Sequence, residues 1–227
     1  MNIQERMTAF AMLGAGWVMW FLVGLSVICV AIVIERAFFF WGSRENLSSL
    51  KQDLFRFLKE RDLQGARARL EASRSFEARI VTAGLNSSED GADSAEERMA
   101  GESSFAKLQM ERYLAFLGTV GNNAPFVGLL GTVIGVIRAF QSLEQTAGQV
   151  SEGLMSEIGE ALVATAIGIL VALPAVAFFN LFQRVVKSRL AQADSLGREV
   201  LAYLRSKTRL IPRSKIWAQQ TTTMMMS

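Results

Sequence analysis

Three stretches of the chain, 7–34, 113–137 and 161–183, contain no charged residue. Each exceeds the roughly 20 apolar residues that a helix rising about 1.5 Å per residue needs to cross a bilayer, so the expected fold class is an all-α integral membrane protein with three transmembrane helices. The first stretch follows Glu5 and Arg6 and stops at Glu35 and Arg36, with Trp17 and Trp20 inside it and Trp41 beyond it placed near possible interfaces. A signal peptide would be shorter and would end in small residues. Here the run continues through Val33-Ile34-Glu35-Arg36 to Phe38-Phe39-Phe40, which marks a retained span.

Composition agrees and removes other chemistry. Of 227 residues, 51% are hydrophobic, and a mean hydropathy of +0.27 is hard to reconcile with a soluble domain of this size. With 0 His, no Ser-His-Asp triad, Cys-His pair or His-bearing metal site can form, and the single Cys29 allows neither an internal disulfide nor a cysteine metal cluster. An intramembrane enzyme would have to rely on serines and acids, and no paired acids occur within the spans. The chain therefore reads as a non-enzyme with no metal and no cofactor. Its net charge of +3 does not indicate nucleic acid, because the basic residues sit beside apolar runs, a membrane pattern.

Lysine and arginine asymmetry orients the spans. From Arg184 onward nine Lys or Arg face Asp194 and Glu199, a net +7, whereas between the last two spans, ahead of Glu160, Arg138 is set against Glu144, Glu152 and Glu157, a net −2. The tail is expected in the cytoplasm and the joining loop in the periplasm. The amino terminus is then periplasmic and 35–112 cytoplasmic, with Arg36 and Arg44 close to the first span. Expected boundaries are 1–41 for the N-terminus and first span, 42–94 for a cytoplasmic helical segment and loop, and 95–143 for a long helix containing the second span. A periplasmic loop at 144–151, a long helix at 152–206 containing the third span, and a cytoplasmic tail at 207–227 follow.

Apolar residues recur at helical spacing through Leu47, Leu50, Leu54, Phe57 and Leu58, then Leu63, Ala66 and Leu70, which predicts short amphipathic cytoplasmic helices. Residues 86–94 hold turn formers and acids and read as a loop. A helix is expected to restart near Ala95 and to enter the second span without a break before Gly121. The third span continues through Val186, Leu190, Ala193, Val200 and Leu204, so a helix over 152–206 would be on the order of 80 Å long. Both long helices extend into the cytoplasm on this reading.

Small residues carry the sharpest signal. Gly121, Ala124, Gly128, Gly131 and Gly135 share one helix face, and Ala161, Thr165, Gly168, Ala172 and Ala175 share another. Such faces let backbones approach closely in lipid, and the simplest reading is that the two spans pack on each other. The first span has less of this pattern and is expected to face lipid. Counting from the outer ends, Thr132 and Thr165 both lie about 6 to 8 Å below the surface. Each hydroxyl could instead bond its own i−4 carbonyl, as is common in membrane helices. Glu160 could sit in headgroup water or, because Met155, Ile158 and Leu162 start the helix earlier, belong to its body and face an interior cavity. Pro125 and Pro174 each free a carbonyl, either as a plain kink or as a repaired site.

The run Gly121-Asn122-Asn123-Ala124-Pro125-Phe126-Val127-Gly128-Leu129-Leu130-Gly131-Thr132-Val133-Ile134-Gly135 is followed by Ile158-Gly159-Glu160-Ala161-Leu162-Val163-Ala164-Thr165-Ala166-Ile167-Gly168 and Leu173-Pro174-Ala175-Val176. Together they resemble the ExbB/TolQ family of proton-channel proteins, over about 105–190, and more distantly the inner helices of MotA-type flagellar stators. The resemblance implies a homopentamer in the bacterial inner membrane, its second and third spans lining a pore. That pore would enclose the single spans of two copies of an ExbD/TolR-type subunit bearing an intramembrane aspartate. It maps Thr132, Glu160 and Thr165 to polar pore residues, and Pro125, Pro174 and Asn180 to motif positions; Gly128, Gly131, Gly135 and Gly168 belong to the pore-helix packing. Asn122-Asn123 and the basic extension past Arg205 depart from the pattern without touching the motif.

The implied function is conversion of the proton motive force into mechanical work on the cell envelope. A charged carboxylate in an apolar bore is held back by desolvation, and neutralisation removes that cost. Outer-membrane import, envelope maintenance and gliding or other motility are all loads for such a complex, and two threonines with a carboxylate suit protons and sodium ions alike. A passive scaffold fits the topology too, but leaves Thr132, Thr165 and Glu160 without a role.

Overall fold

The structure is a computed structural model that describes residues 16–43, 45–145 and 152–209. The expectations for 7–15 and the amino terminus, Arg44, residues 146–151 of the joining loop, and the tail beyond 209 fall outside the described residues. Among the described residues seven helices follow one another: α1 (Gly16–Gly42), α2 (Leu47–Glu60), α3 (Leu63–Glu71), α4 (Phe76–Asn86), α5 (Ala92–Glu111), α6 (Leu114–Gln145) and α7 (Glu152–Arg209). No strand occurs among the described residues. Three of these helices, α1, α6 and α7, are long and apolar enough to cross a membrane, and the chain is an all-α membrane protein.

Local chemistry places the ends of the shorter helices. Asp62 caps α3 by accepting from the Gly65 amide at 2.8 Å, and Ser75 caps α4 by accepting from the Ala78 amide at 3.2 Å. Gly91, with φ 104°, makes the turn into α5. The loop between α4 and α5 is shorter than the expected 86–94, since α4 runs to Asn86 and α5 begins at Ala92.

The unbroken helix expected over 95–143 is two helices. α5 ends at Glu111 and α6 starts at Leu114, with Tyr113 between them in the left-handed region at φ 64°. Neither Gly nor Pro marks the break, which is why apolar spacing ran through it. A bulky residue there costs about 1 kcal/mol. Ring contacts offset part of that: the guanidiniums of Arg112 and Arg36 stand 4.6 and 5.6 Å from the Tyr113 ring centre.

The chain forms two compact units. One holds described residues 16–38 and 112–184. Its core joins Val18, Leu22 and Cys29 of α1 to Val120, Ala124 and Ile134 of α6 and Val171, Ala172 and Ala175 of α7. The opposite face of α1 leaves Trp20, Phe21, Val27 and Val30 exposed, as a lipid-facing helix should.

The second unit holds 39–111 and 185–209. Leu50, Leu54, Leu58, Ala66 and Leu70 turn inward at the expected helical spacing, as do Val186, Ala193, Val200 and Leu204 on α7. Arg69 joins α2 and α3, reaching Asp53 at 2.8 Å and Glu45 at 3.0 Å. Those two hydrogen bonds, Asp53 first, push the Arg69 guanidinium above its ordinary pKa. Arg189 is buried. It donates to the carbonyls of Phe40 and Ser43, each at 3.0 Å, and to the Ser43 hydroxyl at 2.9 Å, with the Glu77 carboxylate 4.0 Å away. A cation thus sits at the carbonyl end of α1, where the helix dipole favours it.

Candidate functional site

In the first unit the two small-residue stripes meet face to face. A side chain begun at Gly128 would lie 2.9 Å from the Ala164 carbonyl and 3.0 Å from the Thr165 Cα; one begun at Gly168 would lie 2.7 Å from the Ala124 carbonyl and 3.0 Å from the Gly128 Cα. Gly121 abuts Val176, Gly131 abuts the Ala164 methyl, and Gly135 abuts Ala161. The pairing order is antiparallel. The stripes therefore meet within one chain, as the simplest reading held.

Close backbone approach brings the two threonines together. The Thr165 hydroxyl donates across the helices to the Gly128 carbonyl at 3.0 Å, with the Thr132 hydroxyl oxygen 3.4 Å away. Thr132 donates to the Leu129 carbonyl at 2.7 Å. Local back-bonding therefore describes Thr132, at i−3 rather than i−4, but not Thr165, whose bond is interhelical. Both side chains are half-buried.

Glu160 lies in the body of α7, which begins at Glu152. Its Oε1 is 3.2 Å from where a side chain on Gly16 would begin, so the carboxylate faces α1. One turn earlier, Glu157 faces α6 instead: Arg138 lies 3.7 Å from its Oε1, and the Ser142 hydroxyl donates to its Oε2 at 3.1 Å. Sequence reasoning counted Arg138 and Glu157 only as loop charges. The missed signal was the i, i+3 spacing of Glu157 and Glu160, which puts both on neighbouring parts of one helix surface.

The remaining expected positions do not join this cluster. Pro125 is half-buried within α6, and Pro174 is exposed within α7. Asn180 is also exposed, and its fifteen-residue separation from Thr165 is about 22 Å along the helix. Among the described residues no group of three or more Cys, Asp or Glu could hold a metal ion. The site offers two hydroxyls, one acid facing α1 and one acid paired with an arginine, arranged along a tightly packed helix pair.

Comparison with known proteins follows the same stretch. The sequence model of the MotA/TolQ/ExbB proton channel family matches residues 72–195. A Biopolymer transport protein ExbB of Xanthomonas campestris is 37% identical over 102 residues, 45% of this chain and 40% of its own length. An ExbB-like biopolymer transport protein of Helicobacter pylori is 40% identical over 78 residues, 34% of this chain and 52% of its own. The chain thus spans about half or less of these two relatives. An ExbB-like biopolymer transport protein of Synechocystis is 32% identical over 190 residues, 81% of this chain and 89% of its own length. With more than half of the chain matched and that last relative aligned along most of its length, this chain belongs to the MotA/TolQ/ExbB proton channel family.

Proposed function

We propose that the chain is an inner-membrane energy-transducing subunit. It would form a homopentamer whose second and third spans face inward around two copies of an ExbD/TolR-type single-span partner. The observation that carries this reading is the hydroxyl pair: Thr165 reaches across to the Gly128 carbonyl with Thr132 at 3.4 Å, inside a helix pair otherwise closed by glycine and alanine. Protons arriving from the periplasm pass Glu160, exchange hydrogen bonds at Thr132 and Thr165, and neutralise the partner's aspartate. The neutral side chain no longer bears the desolvation cost of a buried carboxylate, so the partner steps and the proton leaves on the cytoplasmic side. Large apolar residues left exposed on α6 and α7, among them Phe126, Leu129, Leu162 and Leu173, supply surface for lipid and neighbouring copies.

Co-purification from the native membrane tests this directly. A small single-span protein with an intramembrane aspartate is expected to accompany the chain, and the reconstituted complex is expected to dissipate a pH gradient across vesicles. Isolation of the chain alone, in a form that passes no protons, would refute the proposal.

A further inference from the structure

Nearest the threonine pair on its outer side, α7 carries two acids, Glu157 and Glu160, three residues and therefore about 4.5 Å apart along its axis. Left alone, they would give the loop end of the helix pair a double negative charge. The structure separates them. Glu157 is held by Arg138 at 3.7 Å and Ser142 at 3.1 Å, with Arg138 and Glu157 only 33% and 20% exposed as side chains. Glu160 faces Gly16 and has no ion-pair partner among the described residues. The described part of α1 contributes no charge before Glu35, and Glu144 of α6 is exposed. Relative to the threonine pair, Arg138 lies about 9 Å outward along α6, and Glu160 and Glu157 about 7.5 and 12 Å outward along α7.

We infer that Arg138 and Glu157 form a charge filter at the outer mouth of the threonine pathway, Arg138 cancelling one acid so that Glu160 is the uncancelled acid nearest the threonine pair, Glu144 and Glu152 standing about 18 and 20 Å outward along their helices. Conduction needs a site attractive enough to fill and weak enough to empty. Two free acids would concentrate cations and retain them; one attracts and releases. The filter rests on the proton-channel reading for its purpose, but its charge arrangement is measurable without any flux.

The test uses the full chain with Cys29→Ser, which removes the native thiol, and Gly159→Cys. Gly159 is exposed and has nothing within 4 Å of where a side chain would begin. Its reaction rates with a cationic and an anionic methanethiosulfonate report the local potential. One unit of charge nearby changes each rate roughly threefold in opposite directions at low salt, so Arg138→Gln is expected to raise the cationic-to-anionic ratio about tenfold. Glu157→Gln should lower it by a similar factor, and the double variant should return it to the parent value. A ratio that moves less than about twofold in both single variants, or that the double variant fails to restore, overturns the inference. In vesicles holding the complex, Arg138→Gln should slow proton flux several-fold and the double variant should restore it; equal flux in all variants overturns the filter role. Absence of flux from the unmodified complex would instead count against the channel proposal and leave the ratio to decide the charge arrangement.

Discussion

Thr132 and Thr165 differ in what they hold. Replacing Thr132 by valine removes a bond to its own helix at Leu129, whereas Thr165→Val removes a bond to the neighbouring helix at Gly128. Interhelical hydrogen bonds in membranes are worth about 0.6 kcal/mol each, so assembly should survive both changes. Proton flux through the assembled complex should fall at least tenfold in Thr165→Val and less in Thr132→Val, while Thr165→Ser retains activity and Glu160→Gln reduces it. Three conservative variants with unaltered flux would return the hydroxyls to a packing role. The meeting of Thr132 and Thr165 was legible beforehand because depth along two antiparallel helices is simple arithmetic. The orientation of Glu157 and Glu160 was not, because spacing along one helix does not say which neighbour each acid faces.

At the scale of elements, hydrophobic periodicity found α2, α3 and the run of α7 from Val186 to Leu204, since those helices bury one face. It failed between α5 and α6, where Tyr113 turns the chain by a left-handed backbone that no sequence punctuation announces. Arg189 was equally silent, being one basic residue among nine in the tail count. Its burial against the last carbonyls of α1 and against Glu77 makes it an anchor for the end of that helix. Arg189→Met leaves Glu77 buried without its cation and should cost about 3 kcal/mol. Thermal unfolding of the full chain in detergent should then fall by on the order of 10 °C. Arg189→Met with Glu77→Leu should recover much of that loss, and failure to recover would show that the carbonyl contacts, not the pair, carry the effect.

For the molecule as a whole, the three spans and their charge asymmetry predict a topology. A cysteine at Ser142 should be labelled from the periplasm and one at Ser206 from the cytoplasm by impermeant reagents; the opposite pattern would invert the proposed direction of proton travel. Native mass spectrometry in mild detergent should give five copies. Because the glycine stripes meet within the chain, contact between copies in the proposed pentamer would fall to the exposed Phe, Leu and Val residues of the spans, a surface that composition alone cannot divide between lipid and protein.

Gly128 and Gly168 each stand where the other's side chain would be, and both press on backbone atoms. Genetically, that makes the two positions irreparable by their partners. An alanine at either should impair assembly, and no trimming across the interface can compensate, because a carbonyl cannot be made smaller and the facing residue is already glycine. Gly131 differs, since the Ala164 methyl group it meets can be removed, and Gly135 differs in part, meeting the removable Ala161 methyl but also the Ala161 Cα at 3.2 Å and the Glu157 carbonyl at 3.3 Å. Second-site suppressors of Gly131→Ala should therefore arise as Ala164→Gly, whereas Ala161→Gly should relieve Gly135→Ala only in part. A suppressor screen begun at Gly128 or Gly168 should return only residues that shift a whole helix, which leaves the end of the seam that holds Gly131 as the part open to paired change.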